Sequence, residues 1–284
     1  MTKIALTPLA ESLPASVPFV GPEAQERQKG RPFKARLGAN ESAFGPSPKA
    51  IAAMQKAAAE TWMYPDPESY NLKQALAAHY AIPADSIMVG EGIDGLLALV
   101  VRAYINIDDR VVTSAGAYPT FNYHVAGFGG ELHTVPYKGD DEDPDALLAK
   151  AAEVGAKLIY LANPDNPMGS WHPAAVISDM IARLPDGCML VLDEAYVDLA
   201  PEGTAPALDT SMENVIRMRT FSKAYGMAGA RVGFAISAPD VINGFNKVRN
   251  HFGMSRTGQI GALASLQDDG WLEHIRAEVD ASRQ

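Results

Sequence analysis

One lysine stands among residues that otherwise indicate a buried segment. Lys223 follows Thr220 and Ser222 in "RTFSKAYGMAGARVG", with Arg231 after it, and most of its other neighbours are aromatic or small. A lysine held among apolar groups near a second cation has a lowered pKa and can form a Schiff base with an aldehyde. Most lysines are solvated surface residues, so a surface role is the alternative interpretation.

The same segment contains groups that suit a phosphate. The hydroxyls of Thr220 and Ser222 and the guanidinium of Arg231 could together surround an oxyanion. The glycine-rich turn "GEGIDG" (90–95) opens a predicted helix, and free backbone amides at helix N-termini bind phosphate. Arg231 could instead form an ordinary salt bridge, and the glycines could serve only a strand-to-helix turn.

Asp193 is a carboxylate at the end of an apolar run. The four residues before it, Met189 to Leu192, are all apolar. A buried carboxylate is costly without a cationic partner, and the protonated ring nitrogen of a cofactor would be such a partner. The alternatives are a helix cap or a partner for a nearby base, and the same alternatives hold for Glu194.

Two further segments could present groups to a planar ligand. In "NPDNPMG", Asn163 and Asn166 form turns or, because Pro167 makes the loop rigid, Asn166 presents its amide. Tyr118 and Phe121 are core aromatics or, at a strand end, rings that stack on a planar group.

Short apolar runs alternate with helical stretches along the chain, and this pattern predicts the elements that position these residues. It favours a three-layer α/β/α fold with a mostly parallel sheet. The predicted strands are "SIMVG", "RVVTS", "KLIYLA", "CMLVLDEA" and "VIRMRT", and the predicted helices span 48–60, 71–80, 95–105 and 173–184. Residues 1–35 are predicted to be an irregular arm, because Pro8, Pro14, Pro18, Pro22 and Pro32 interrupt them.

The residues that could do chemistry follow the apolar runs. Ligands bind at the carboxyl ends of the strands in sheets of this kind. We therefore expect five loops to converge on one crevice: "GEGIDG", "GAYPTF", "NPDNPMG", "DEAY" and "TFSK".

Composition excludes several other classes of protein. The 284 residues carry 24 basic and 34 acidic side chains, a net charge of -10, which does not favour nucleic acid or an anionic membrane. The lone Cys188 cannot form a disulfide within the chain, and the histidines lack ligand spacing, so no metal site is expected. Without a signal peptide or a long apolar run, we expect a soluble cytoplasmic protein.

Seven segments together resemble a known family. They are "ANESAFGPSP", "WMYPDPESYNLKQALA", "VGEGIDGLL", "YPTFNYH", "YLANPDNPMG", "VLDEAYVDL" and "RTFSKAYGMAGARVG", in family order over about residues 36–260. The chain resembles the pyridoxal-phosphate enzymes of fold type I, in particular the class I/II aminotransferases and, among these, the histidinol-phosphate aminotransferases.

The resemblance implies a role for each matching residue. Lys223 would bind the aldehyde of pyridoxal 5'-phosphate covalently and shuttle the substrate's proton, and Asp193 would pair with the ring nitrogen. Phe121 would stack on the ring, while Asn166 and Tyr196 would bind its phenolic oxygen. The phosphate would be held by Thr220, Ser222, Arg231 and the backbone at Ile93 and Asp94. Asn40 would lie near the substrate, and Tyr64 would reach the phosphate of a neighbouring subunit in a homodimer with shared sites.

The resemblance also implies a division of the chain. Residues 1–47 would form an N-terminal arm and part of a small domain, 48–250 a large cofactor-binding domain, and 251–284 a helical segment leading to a C-terminal domain that is missing. Relatives carry in that domain an arginine that binds the substrate carboxylate, which Arg256 could replace only in part. Met168 stands where the family usually has threonine.

Three functions are compatible with these features. The first is an aminotransferase that moves an amino group from histidinol phosphate, or from an aromatic amino acid, to 2-oxoglutarate. The second is a decarboxylase or lyase with the same cofactor, since the bond held perpendicular to the ring decides the reaction. The third is a truncated chain that binds the cofactor without turnover.

Overall fold

A seven-stranded sheet forms the centre of the molecule. The computed structural model describes residues 4–14 and 19–283. The strands, in chain order, are β1 Ile87–Gly90, β2 Arg110–Ser114, β3 Glu131–Val135, β4 Leu158–Ala162, β5 Met189–Asp193, β6 Val215–Thr220 and β7 Gly233–Ile236. Their order across the sheet is β1-β7-β6-β5-β4-β2-β3.

Six of the seven strands run in the same direction. β2 pairs in parallel with β3 and β4, as do β4 with β5 and β5 with β6, whereas β7 is antiparallel to both β6 and β1. The prediction of a mostly parallel sheet is therefore confirmed. Because β7 is reversed, its first residue lies at the edge of the sheet where the other strands end.

Eleven α-helices are present in the described residues. They are α1 Pro8–Ser12, α2 Pro22–Lys29, α3 Pro48–Ala58, α4 Tyr70–Tyr80, α5 Gly92–Tyr104, α6 Pro119–Gly127, α7 Pro144–Val154, α8 Ala174–Ala182, α9 Pro239–Asn246, α10 Arg256–Leu266 and α11 Asp269–Ser282. Each of the four predicted helices is found. The largest difference is in α5, which begins at Gly92 rather than at residue 95 and so starts within the glycine-rich turn.

Helices cover both faces of the sheet, as predicted. On one face, α5, α6 and α9 pack on strand residues whose side chains point to that face, such as Leu158 and Tyr160. On the other face, α7 and α8 pack on the alternate residues Ile159 and Leu161, and α3, α4 and α10 cover β1 and β7. The central strands are apolar on both sides because both sides are buried.

The prediction of an irregular arm over residues 1–35 is wrong for two stretches. Helices α1 and α2 begin at Pro8 and Pro22. Proline is well suited to the first helical position, because the amide that it lacks would have no partner there and its fixed φ is helical. Residues 1–3 and 15–18 of the predicted arm, which include Pro18, lie outside the described residues.

The described helices are too short to cross a membrane. The longest of them, α11, has 14 residues and alternates charged with apolar side chains. Across residues 4–14 and 19–283, no helix combines the length and apolarity that a bilayer crossing requires. The division into residues 1–47, 48–250 and 251–284 stays a prediction.

Candidate active site

The five strand-end loops line one cavity of about 480 Å³. This confirms that the chemically interesting residues converge at the carboxyl edge of the sheet. Residues 19, 39 and 41 of the N-terminal arm complete one wall. The predicted site residues that line the cavity are Ile93, Asp94, Asn166, Asp193, Tyr196, Thr220, Ser222, Lys223 and Arg231.

The amine of Lys223 faces the N-terminal arm. Its Nζ donates hydrogen bonds to the carbonyl oxygens of Ala39, at 2.9 Å, and Asn40, at 3.4 Å. The arm comes this near because Gly226, three residues after the lysine, has no side chain to collide with the backbone at Gly45. The fold thus holds the free amine at the cavity wall.

The environment of Lys223 favours the neutral amine. Burial lowers the pKa of its ammonium group, and the positive charge of Arg231 adds to this effect, while Glu41 and Asp193 oppose it. A neutral amine is the reactive form toward a carbonyl. The chemistry expected of this lysine from its neighbours is therefore supported by its surroundings in the fold.

Asp193 ends β5 at the floor of the cavity. Its Oδ2 accepts a hydrogen bond of 2.8 Å from the hydroxyl of Tyr160, and its Oδ1 accepts one of 2.9 Å from the amide of Ala195. Burial raises the pKa of the carboxyl to about 6, because these bonds and the nearby Lys223 offset only part of the lost hydration. A cation placed against this carboxylate would therefore be strongly favoured.

Hydroxyls, a guanidinium and a helix N-terminus meet at one end of the cavity, which we call the anion cup (Gly92, Ile93, Asp94, Thr220, Ser222 and Arg231). The amide of Ser222 donates to Thr220 Oγ1 at 3.0 Å, and Arg231 Nη1 lies 3.5 Å from Ser222 Oγ. Arg231 adopts a left-handed backbone with φ of 55°, and its Nη2 lies 3.5 Å from the carbonyl oxygen of Glu91 just before α5. These groups suit a phosphate.

Gly92 is required where α5 begins. Its φ is +76°, and a Cβ there would lie 2.5 Å from Arg231 Nη2. A side chain would therefore strain the backbone and displace the guanidinium from the cup. The glycines of "GEGIDG" serve the geometry of the cup as well as the turn.

The cup contains one negatively charged side chain. Asp94 lies in the first turn of α5, and its Oδ1 is hydrogen-bonded to Nε2 of His124 on α6 at a distance of 2.8 Å. The bond to His124 lowers the pKa of the Asp94 carboxyl despite its partial burial, and Arg231 adds a smaller effect. His124 was not predicted as a site residue, since its spacing matches no ligand pattern.

The ring of Phe121 is not among the residues that line the cavity, and its role in stacking on the cofactor ring stays a prediction. Phe121 is fully buried on α6 and stacks on Tyr160, with ring centroids 4.6 Å apart. Tyr118, immediately before that helix, lines the cavity instead. Because α6 begins at Pro119, Phe121 turns into the core while Tyr118 stays at the strand-end loop. From the sequence alone, both Tyr118 and Phe121 were candidates for stacking on a planar ligand.

The structure brings Asn40 to the site but not Tyr64. Asn40 Nδ2 donates a hydrogen bond of 3.0 Å to the hydroxyl of Tyr196, and both residues line a second cavity that adjoins the first at Asn166. Tyr64 lies away from both cavities, is 76% exposed and packs on Phe252. Its reach toward a neighbouring subunit stays a prediction.

Two residues beside the site have the structural roles that the sequence left open: Glu194 pairs with basic side chains, and Asn163 holds a turn. Glu194 is buried and bonds both Arg217 and Arg219, which lower its pKa although burial alone would raise it. Asn163 bonds His172 and the carbonyl of Thr204 and so fixes the loop after β4. Both residues stabilise the loops that carry Asp193 and Asn166.

A second buried acid lies near the floor of the cavity and was not predicted. Glu142 accepts hydrogen bonds from the hydroxyl of Ser114 and the amide of Ala162, at the ends of β2 and β4. Burial raises its pKa to about 7, and the charges of Asp165 and Asp193 act in the same direction. Nothing in the polar stretch around residue 142 signals that this one acid is buried.

The sequence profile of a known family covers most of the chain. The family is described as aminotransferase class I and II, and its profile matches residues 34–284. The chain belongs to the class I and II aminotransferases. The resemblance inferred from seven segments is confirmed, and the strand-end cavity is the corresponding candidate active site of an aminotransferase.

Individual aminotransferases are similar over almost the whole chain. A histidinol-phosphate aminotransferase of Anaeromyxobacter sp. (strain Fw109-5) is 37% identical over 278 residues, which are 96% of this chain and 76% of that one. The crystal structure of histidinol-phosphate aminotransferase from Sinorhizobium meliloti, in complex with pyridoxal-5'-phosphate, superposes with a TM-score of 0.96 at 52% identity. It covers 100% of this chain and 76% of its own.

The fold is shared with proteins of another reaction class. L-threonine-O-3-phosphate decarboxylase from Porphyromonas gingivalis superposes with a TM-score of 0.69 at 18% identity, over 80% of this chain and 70% of its own. At that identity the likeness shows the fold alone. Within the described part of this aminotransferase, no group of three or more His, Cys, Asp or Glu is arranged to hold a metal ion.

Proposed function

We propose that this chain is a pyridoxal 5'-phosphate-dependent histidinol-phosphate aminotransferase, which moves an amino group from histidinol phosphate to 2-oxoglutarate. The observation that carries the proposal is the cavity in which Lys223, Asp193 and the anion cup face one another. The names of the similar proteins from Anaeromyxobacter and Sinorhizobium support histidinol phosphate as the donor. An aromatic amino acid is the second donor to test.

The residues of the cavity fit the cofactor at three points. The anion cup suits its phosphate, since the free amides of α5 and the guanidinium of Arg231 converge where Gly92 leaves space. The buried carboxylate of Asp193 forms no salt bridge within the described residues, and a protonated ring nitrogen would supply a cationic partner in direct contact. Lys223 supplies the amine that attaches the aldehyde.

Lys223 also serves as the base of the reaction. Its Nζ, neutral more readily than that of a solvated lysine, would accept the proton from the substrate's α-carbon and hold it for return. Between these steps, the carbonyl oxygens of Ala39 and Asn40 are positioned to hold the amine by hydrogen bonds. The N-terminal arm thereby restricts where the released amine can go.

Other cavity residues orient the ring. Tyr118 would stack on the ring, Asn166 and Tyr196 would bind the phenolic oxygen, and Asp193 would favour a proton on the ring nitrogen. When bound, pyridoxal phosphate supplies an electron sink that stabilises the carbanion formed at the substrate's α-carbon. Asn40 fixes the hydroxyl of Tyr196 and lies where the amino donor enters.

The enzyme is further proposed to act in the cytoplasm as a homodimer with shared active sites. Tyr64 then contributes to the phosphate site of the partner. In support, Tyr64, Trp62 and Phe252 leave large apolar surfaces exposed in the single chain. Light scattering of the purified protein tests the dimer, and a sedimentation profile of a monomer at micromolar concentration would refute it.

A donor screen tests the proposed reaction. The purified chain is incubated with pyridoxal phosphate, 2-oxoglutarate and either histidinol phosphate or an aromatic amino acid, and glutamate is measured. Glutamate formed fastest with histidinol phosphate is the expected result. Carbon dioxide released without consumption of 2-oxoglutarate would instead identify a decarboxylase, and a coloured protein that transfers no amino group would identify a chain that only binds the cofactor.

Substitution of the lysine tests its assignment separately. Lys223→Ala is expected to remove the visible absorption band of the lysine-linked cofactor, because no covalent attachment remains, and to stop transfer. Lys247→Ala, a lysine on the surface after α9, serves as the control and should leave both unchanged. Persistence of the band of the lysine-linked form in the Lys223 variant would refute the assignment.

A further inference from the structure

The anion cup contains a carboxylate that can compete with its ligand. Asp94 stands in the first turn of α5, where a negative side chain is attracted to the free amides of its own helix. Asp94 and Arg231 line the same cavity, so the carboxylate and the guanidinium face the same space. The same amides and the same guanidinium are the groups that a phosphate would use.

The carboxylate is held away from those amides. No side chain caps the N-terminus of α5, and Asp94 Oδ1 instead lies 2.8 Å from Nε2 of His124. His124 belongs to α6, whose preceding residue is the cavity-lining Tyr118. Its imidazole is mostly buried, with 18% of the side chain exposed, whereas the Asp94 side chain is 49% exposed and free to turn if released.

We propose that His124 is a positioning residue that holds the Asp94 carboxylate aside, so that the N-terminal amides of α5 and Arg231 remain available to the cofactor phosphate. This inference rests on the proposed function, because it concerns the phosphate of the proposed cofactor. A purely structural alternative is that His124 only packs α6 against α5. The two roles differ in what they predict for a ligand without a phosphate.

The test compares pyridoxal phosphate with pyridoxal, which lacks the phosphate but carries the same ring and aldehyde. Dissociation constants are measured by absorbance titration of the wild type, of H124F and of H124Q, with folding checked by circular dichroism. H124F is expected to bind pyridoxal phosphate about tenfold more weakly, the effect of one lost charge-assisted contact, and pyridoxal within about twofold of the wild type. H124Q, whose amide can reach Asp94, is expected to restore most of the loss.

A second substitution removes the competitor. D94A retains the backbone amide, so the double variant H124F/D94A should bind pyridoxal phosphate more tightly than H124F alone. If H124F does not fold, H124N replaces it, because its shorter amide cannot reach Asp94.

The outcomes separate the inference from the proposed function. Wild type that fails to bind pyridoxal phosphate would refute the proposed function. With wild-type binding intact, equal loss of both ligands in H124F, no loss of either, or a double variant as weak as H124F would each overturn the role of His124.

Discussion

The hydroxyl of Tyr160 donates a 2.8 Å hydrogen bond to Oδ2 of Asp193, and both side chains are buried. The ring of Tyr160 is itself fixed by Phe121, on which it stacks. A chain of contacts therefore runs from α6 through β4 to the carboxylate at the end of β5. It sets the direction in which Asp193 faces and reduces the rise in pKa that burial causes.

Removal of that hydroxyl should make Asp193 harder to ionise. In Tyr160→Phe, the pKa of the Asp193 carboxyl is expected to rise above about 6, by about one pH unit, because a hydrogen bond to the charged form is lost. A pH titration of the carboxyl ¹³C signal in the cofactor-free protein measures it. Tyr137→Phe, whose hydroxyl bonds Asp165 instead, is the matched control. An unshifted Asp193 titration would show that the bond is absent in solution.

A side chain at position 92 should damage the anion cup specifically. Gly92→Ala is expected to weaken pyridoxal phosphate binding at least about tenfold, because its Cβ would displace Arg231. Gly155→Ala is the control: Gly155 has a similar positive φ of 65°, but no atom lies within 4 Å of the added Cβ. Both variants lose stability through the strained backbone. Equal cofactor affinity in the two variants would contradict the geometry of the cup.

The buried ion pairs of Glu194 should be essential for stability. Glu194→Gln leaves Arg217 and Arg219 buried without their carboxylate, so the free energy of unfolding is expected to fall by about 3–5 kcal/mol. Urea unfolding measures this loss. The matched control is Asp179→Asn, since Asp179 bonds Arg183 on the surface and its loss should leave the midpoint almost unchanged. A Glu194 variant as stable as that control would mean that the two guanidinium groups find other partners.

Glu142 should make the cofactor-free protein less stable as the pH rises. Its pKa is about 7 in the fold against 4.5 in the unfolded chain, so the folded state binds the extra proton between these values. Stability is greatest below pH 4.5 for this group and falls by roughly 3 kcal/mol as the pH rises to 7. Asp193 acts in the same direction between 3.8 and about 6.

The neutral variant Glu142→Gln tests this dependence. Urea unfolding at several pH values from 5 to 8 should give a flatter profile than that of the wild type, and the variant should be the more stable of the two at pH 8. The exposed Glu202→Gln serves as the control and should reproduce the wild-type profile. A Glu142 variant with an unchanged profile would mean that the pKa of this carboxyl is ordinary.

The sequence predicts the part of the site that depends on strand ends. Asp193 and Lys223 follow apolar runs, and an apolar run that ends in a charge marks the edge of a buried sheet. It does not decide between Tyr118 and Phe121, because that choice depends on where α6 starts and how it rotates. His124 is identified as a neighbour of the site only from the packing of α6 on α5. That contact joins distant segments, and no local sequence pattern predicts it.

The fold shows the same division between local and non-local information. β3 is absent from the predicted strands because it lies at the sheet edge, where only Val135 is buried and no apolar run develops. β7 is also absent from the predicted strands, because it is short and lies within the glycine-rich segment after Lys223. Its reversed direction follows from pairing with β1 and β6, which the local sequence does not specify.

That reversed strand also bears on how the site assembles. Because β7 returns antiparallel to β6, one β-hairpin-like unit carries Thr220 at the end of β6 and Ser222, Lys223 and Arg231 in the connection to β7. These four residues meet through short-range contacts, which form quickly and do not await the pairing of distant strands. Half of the anion cup can therefore form early in folding, whereas the contribution of α5 must await the docking of a segment far away in the chain.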